Sequence, residues 1–540
     1  MGMLTEPSRS MWRSASLAGL LFCSVSTVAL AAPATGNDVK LQAMQRQLDD
    51  MRSQLEQMRS TDQQQDPRLS AIQQQLDAMA AQLAEMKTTQ DSASTDIATL
   101  KQAPPGAFVT PTLSNGKPGL ASADGRFTAN IKAILMLDTG KYFQKDNLPA
   151  AVTNRDLNEG SNFRRARFGV DGRLYRDFDY SFIFEFGGSG AEDPGRLFEA
   201  AITYTGIKPL RITAGAFQPN IGLAAAVSTS QMPILERPSA AEIARNVAAG
   251  SARVGLQVAG SGVLGEGDSG LATRWFASTA VTGNTVPSIS AAGSTTSQPA
   301  DEQTAWLGRV AFAPYSTTDW QSHFGANYQY VIQPNDAGAA ANVRYGVQLR
   351  DRPELRVDGA RLIDTGLIDA RHVTVIGLEA AFLKGPFTIE SEYFRYKIDR
   401  RTSGAATPND PHFSGWYLQG SWILTGETRP YNPVEARFDA PRVNYNFNPQ
   451  AGTWGAFELA ARYSMVDLNY REGNPGTAPV LGAVRGGEQT IGTLGLNWYL
   501  NPTIRFMVDY QRVKIDRLGA TGLQVGQRYN AVAARGQVNF

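Results

Sequence analysis

The sequence is poor in the residues that most often carry chemistry. It holds one cysteine, Cys23, and three histidines, His323, His372 and His412. Cys23 lies in a segment with the features of a secretory leader, so a mature chain has no thiol, and disulfide frameworks and thiol catalysis are excluded. None of the histidines falls in a Gly-x-Ser-x-Gly or His-Glu-x-x-His setting, so no enzyme, metal site or cofactor is expected. After residue 32 no stretch approaches the roughly 18 uninterrupted apolar residues of a membrane-spanning helix, so a membrane location would require a barrel. Formal net charge is +1, which gives no drive toward nucleic acid. Lysine is also scarce: of 51 basic residues eleven are lysine, which leaves forty arginines. Arginine is permanently charged and forms bidentate contacts with oxyanions.

What is present changes character along the chain. Arg9 and Arg13 precede an apolar run from Leu17 to Leu30, and Ala29-Leu30-Ala31 is a small-x-small cleavage site; residues 1–31 read as a signal peptide, with a membrane anchor as the alternative. Over 38–100 Leu41, Met44, Leu48, Met51, Leu55 and Met58 repeat at heptad spacing. The repeat resumes at Leu69, Ile72, Leu76, Met79, Leu83 and Met86. The spacing predicts an α-helical coiled coil of three or four strands, the alternative being one amphipathic helix lying on a membrane or barrel. Pro104, Pro105, Pro111 and Pro118 mark 101–125 as a linker.

From Arg126 the period becomes two. Phe127, Ala129, Ile131, Ala133, Leu135 and Leu137 alternate with polar residues, as do Phe178, Tyr180, Phe182, Phe184 and Phe186, and Trp320, Ser322, Phe324, Ala326, Tyr328 and Tyr330. Short turns (at 177, 206–209, 384–386 and 501–502) alternate with long polar connections, of which 334–371 is the longest. The chain closes on Val532, Ala534, Gly536, Val538 and Phe540 along one face. Together these predict an all-β transmembrane barrel over 126–540 in the cell outer membrane, with about 16 antiparallel strands, lipid outside and polar residues lining water. The 425–453 stretch is too long for the turn it is assigned.

Several segments, in order, resemble one family, the phosphate- and polyphosphate-selective porins of Gram-negative outer membranes. They are Asn162-Phe163-Arg164-Arg165-Ala166-Arg167-Phe168-Gly169, Leu235-Glu236-Arg237-Pro238, Arg350-Asp351-Arg352-Pro353-Glu354, Asp364-Thr365-Gly366, Leu424 to Tyr431 and Asn497-Trp498-Tyr499-Leu500-Asn501-Pro502. The resemblance implies a 16-stranded homotrimer, with inward-folded loops and an arginine ladder that conducts phosphate or related anions. The sequence departs from the family at Gly215-Ala216-Phe217-Gln218-Pro219, where a lysine-bearing stretch is common.

On the residues themselves, strand parity puts Arg165, Arg167, Asp171 and Arg173 on the lumenal face, with Arg164 at the strand mouth. The 334–371 connection, long enough to fold inward, carries Arg344, Arg350, Arg352, Arg356 and Arg361. The anion-binding candidates are Arg164, Arg165, Arg167, Arg344, Arg350, Arg352 and Arg356. The competing use for these arginines is pairing with lumenal carboxylates such as Glu185, Glu199, Glu390, Glu392 and Glu458. Two other functions compete: a porin for other small solutes, and a tether from the outer membrane to peptidoglycan through the periplasmic coiled coil.

Overall fold

A computed structural model describes residues 109–540, except 115, 153, 189–194, 267–271, 287–300, 318, 340 and 402–408, together with Ser53 and Ala84, which are helical. The expected signal peptide and the rest of the expected coiled coil lie outside the described residues.

Sixteen long strands form the barrel: β1 (Thr128–Phe143), β2 (Gly160–Leu174), β3 (Phe178–Glu185), β4 (Arg196–Tyr204), β5 (Leu210–Phe217), β6 (Arg253–Glu266), β7 (Ala272–Thr285) and β8 (Thr304–Ser316), then β9 (Trp320–Gln333), β10 (Ile368–Lys384), β11 (Phe387–Arg400), β12 (His412–Ile423), β13 (Ala456–Tyr470), β14 (Val484–Tyr499), β15 (Ile504–Asp516) and β16 (Arg528–Asn539). Each pairs antiparallel with its neighbours, and β16 returns to β1 in the register Asn530↔Phe143 to Asn539↔Ile134. Closure leaves no unpaired edge, the condition for a sheet to stand in lipid. At the seam Arg535 lies directly opposite Asp138, and its Nε and Nη2 donate to the two carboxylate oxygens at 2.6 and 2.7 Å. Both side chains are fully buried. The segment expected as a linker carries a β-hairpin instead: Val109–Ser114 pairs with Lys117–Ser122, which adds three residues of pairing onto β1. Pro111 and Pro118 fit there because this hairpin lies at a sheet margin, where not every N–H is required.

The alternation sorts side chains as a lipid-facing barrel requires. On β10 Ile376, Leu378 and Phe382 are exposed while Val375, Glu379 and Leu383 are buried. Outward aromatics gather near the turn end: Phe387 stacks on Trp422 at 5.5 Å and Phe457 on Trp498 at 5.8 Å. Trp416 and Tyr463 meet on the same outer face farther along the strands, at 5.6 Å. Two aromatic levels on the outer face are the girdles of a membrane barrel.

The inside departs from a simple polar lumen. Connections 218–252 and 334–367, of near-equal length, fold inward. The first carries a short helix α1 (Leu223–Ala226) and a longer one, α2 (Ser239–Ala248). The apolar side of α2 (Ala240, Ala241, Ile243, Ala244, Ala248) packs on lumenal Phe394, Tyr396, Tyr417, Val466 and Ile491. One side of the lumen is therefore a dry core, since water beside that helix face would cost roughly 25 cal/mol per Å² left exposed. Glu354 accepts the Ser239 N–H at 2.8 Å at the start of α2 and binds Arg462 at 2.6 Å, which fastens the helix between the second loop and the wall.

The 424–455 connection is at the turn end yet is no turn. It enters the lumen as a small hairpin, Tyr431–Asn432 against Arg437–Phe438. Arg429 is bidentate on Glu458 at 2.7 and 2.9 Å. Arg309 donates to the carbonyls of Glu435 and Ala436 at 3.1 and 2.9 Å. The hairpin meets α1 through Arg437 and the Ala226 carbonyl at 2.7 Å.

The seam pair makes the first test. Arg535→Met strands a buried Asp138, so the folded barrel should lose about 3–5 kcal/mol in a urea titration followed by gel mobility. Asp138→Leu with Arg535→Met should recover most of that loss. A single-mutant cost near zero would show that closure does not depend on this pair.

Candidate permeation pathway

Loops fill the lumen beside β11–β14, so the open space lies against β2–β4. A cavity of about 730 Å³ is lined there by the strand wall and by connections 218–252 and 334–367, with a share from 424–455. Among the described residues its walls carry twelve arginines and Lys132 against six carboxylates, Glu185, Glu199, Glu236, Glu242, Asp351 and Glu435. The excess of cations is local, because the whole chain is nearly neutral.

The wall arginines owe their positions to an irregularity in β2. Met136 pairs with Arg165 and Leu137 with Phe163, so Arg164 is an extra residue in a β-bulge. The bulge lets two consecutive side chains reach the lumen, which strict alternation forbids. Arg164 donates to Glu236 at 2.8 and 3.1 Å, and Arg165 at 3.0 and 3.2 Å. Arg535 adds a contact at 2.9 Å, and Arg356 stands 3.8 Å away. These guanidinium groups override burial and hold the Glu236 carboxyl well below the usual range. Arg167 is separate: it binds Glu185 at 2.7 Å and sits over Phe198, 3.6 Å from the ring centre.

The arginines of 334–367 divide. Arg356 bridges Glu242 at 3.0 Å and Asp351 at 3.5 Å, and these acids raise its pKa further against burial. Arg352 gives its Nε to the Gly359 carbonyl at 3.0 Å and has no carboxylate in ion-pair range among the described residues. Burial, with Arg356 and Arg361 nearby, brings its pKa down to about 10, so it stays charged at neutral pH. Arg350 reaches Asp364 only at 3.9 Å, and 42% of its side chain is exposed. Arg344 does not line the cavity: it is bidentate on Asp336 (2.8 and 2.9 Å) and sits against Tyr345. Asp351 is the acid of this group that burial pushes up, to about 7. Glu242, held by Arg245 and Arg356 despite burial, stays well below.

The structure thus gathers Arg164, Arg165, Arg167, Arg350, Arg352 and Arg356 around one cavity and leaves Arg344 outside it. It adds cations that strand patterning had not singled out. Among the described residues Arg237 bonds only to the carbonyls of Ala224 and Val227 (3.0 and 2.6 Å), and burial with Arg245 beside it lowers its pKa to about 9. Arg253 bonds, among the described residues, only to the carbonyls of Gly283, Asn246 and Val247. Arg196, Arg245, Arg361 and Arg437 complete the wall. Arg535 was readable by the same parity that makes Ala534 and Gly536 outward. The loop residues had no such signal.

A guanidinium has five donors, and those bound to one carbonyl or a distant acid keep most of them for a passing anion. Arg350 and Arg352 are in that state, and Arg361 has no hydrogen bond or ion pair among the described residues, whereas Arg164, Arg165 and Arg356 are engaged. The arrangement can attract oxyanions through electrostatics and hydrogen bonds; among the described residues no group of histidine, cysteine, aspartate and glutamate suits a metal ion.

Residues 139–540 match the family described as phosphate-selective porin O and P. Porin O of Pseudomonas aeruginosa is 26% identical over 410 residues, covering 74% of this chain and 86% of that one. The outer membrane channel DcaP of Acinetobacter baumannii aligns with 77% of this chain and 97% of its own at 10% identity, with a TM-score of 0.42. An anion-selective porin from Comamonas acidovorans aligns with 77% and 100% at 13% identity, with a TM-score of 0.41. With a family model matched over most of its length, this closed sixteen-stranded barrel with loops folded into its lumen belongs to the phosphate-selective porin O and P family.

Proposed function

We propose that the protein is an outer-membrane porin, assembled as a homotrimer, for passive diffusion of anions, with phosphate or polyphosphate the favoured passenger. One observation carries the reading: among the described residues the cavity wall holds an excess of arginines, several of which have no close carboxylate. A pair of unit charges about 4 Å apart gains roughly 1 kcal/mol in water and about 4 near a protein surface. One exposed arginine therefore does not select an anion. A succession of them in a narrow passage offsets lost hydration and still hands the ion onward. Arg350, Arg352 and Arg361 are the members with donors to spare, and Arg237 and Arg253 continue the set. Polyphosphate, a chain of repeated negative charge, suits a succession better than a single pocket.

A second role, a tether to peptidoglycan, rests on the heptads of 38–100, which a bare pore does not need.

In a planar bilayer the purified protein should be anion-selective, and millimolar phosphate should block its chloride current. Changing Arg350 and Arg352 together to alanine should lower the anion-to-cation permeability ratio several-fold. Cation selectivity of the wild type would refute the reading. Asp351 adds a pH dependence: its raised pKa makes it largely charged at pH 8 and largely neutral at pH 6, so anion selectivity should rise as pH falls through about 7. Asp351→Asn should flatten that rise; a slope that survives the substitution would place the titrating group elsewhere. Removing 38–100 should leave conductance per barrel intact while envelope integrity falls, and a loss of conductance instead would argue against a separate tethering role.

A further inference from the structure

The densest cation cluster in the cavity wall is already occupied, and its occupant is part of the chain. Glu236 belongs to the 218–252 connection and not to the barrel wall. Its carboxylate takes five hydrogen bonds of 2.8 to 3.2 Å from Arg164, Arg165 and Arg535, with Arg356 Nε at 3.8 Å. Arg535 has Asp138 as well, and Arg356 has Glu242 and Asp351. Among the described residues Arg164 and Arg165 have no carboxylate but Glu236 in ion-pair range.

Fastening a loop to a wall asks for one bidentate arginine–carboxylate pair. Here a β-bulge presents a second, adjacent guanidinium to the same carboxylate, and two further cations approach from β16 and from the other inward loop. Such donors, converging from several sides, form a cradle for an oxyanion. All but Arg535 line the cavity through which ions would pass, as does Glu236 itself.

We propose that Glu236 is a tethered anion filling an oxyanion site of the pore, and that it determines how tightly phosphate is held there. A carboxylate attached to the wall through its own loop competes at an effective concentration in the millimolar range or above. A phosphate ion below that concentration meets a filled site, engages the cluster briefly and is released. The tether turns a trap into a stepping stone, which is what conduction requires of a binding site. This rests on the anion-conducting role proposed above.

The test is the inorganic phosphate concentration that halves chloride current through single barrels. Glu236→Gln keeps the size and one acceptor oxygen but removes the charge, and should lower the half-blocking concentration at least tenfold. Adding Arg164→Gln to it should reverse most of the gain. Should Glu236→Gln fail to fold, Glu236→Asp keeps the charge and withdraws it by one methylene, and a smaller shift in the same direction is expected. An unchanged or raised half-blocking concentration in the folded variant overturns the proposal. So does a higher chloride conductance without tighter block, the mark of a merely loosened loop. Cation selectivity of the wild-type pore would instead remove the role on which the proposal rests.

Discussion

A barrel of sixteen strands encloses more space than its own lumenal side chains fill, and on the side that stays wet the loops that enter it are held by charge. The contact on which this depends most is Glu236, a loop carboxylate gripped by arginines from β2 and β16. It joins the 218–252 connection to the wall beside the closing seam, where Arg535 also holds Asp138. Buried ions of one sign are costly unless opposed, so the cations here and the loop acids depend on each other for their place. This cluster anchors the loop at the cavity side, while the apolar face of α2 and Glu354 hold its other side.

The lumen is divided by chemistry. Beside β11–β14 the face of α2 buries alanines and Ile243 against Tyr396 and Tyr417, and the Tyr396 hydroxyl donates to the Ala240 carbonyl at 2.6 Å. That side resembles the interior of a soluble domain and excludes ions. Beside β2–β4 the surface is cationic and open. The 424–455 hairpin reaches in from the turn end, where Arg309 ties it to Glu379 and the wall. On the proposed reading, ions would be confined to a passage whose two sides are wall arginines and loop arginines. The dry side would then supply the packing and the wet side the selectivity.

Seven arginines stood out in the sequence for two different reasons. Arg164, Arg165 and Arg167 lay on a strand, where alternation gives a direction to each side chain. The β-bulge then altered the pattern by one residue, and Arg164 joined Arg165 inside. Arg344, Arg350, Arg352 and Arg356 lay on a long connection, where sequence gives no direction. Three of them reach the cavity, and Arg344 is held by Asp336 outside it. Arg237 and Arg253 were not singled out because their partners are carbonyl groups of the folded backbone, which no spacing of residues reveals.

The sequence by itself determined that this chain is an outer-membrane barrel of about sixteen strands. Alternation with period two is a property of each extended segment, and the terminal strand carries its pattern to Phe540. The sequence also determined that the cationic wall is built of arginine, because lysine is scarce. Only the tertiary structure decided which arginines remain available. That outcome depends on where Glu236, Glu242 and Asp351 come to rest, and these acids ride on loops whose paths are set by contacts between residues far apart in the chain.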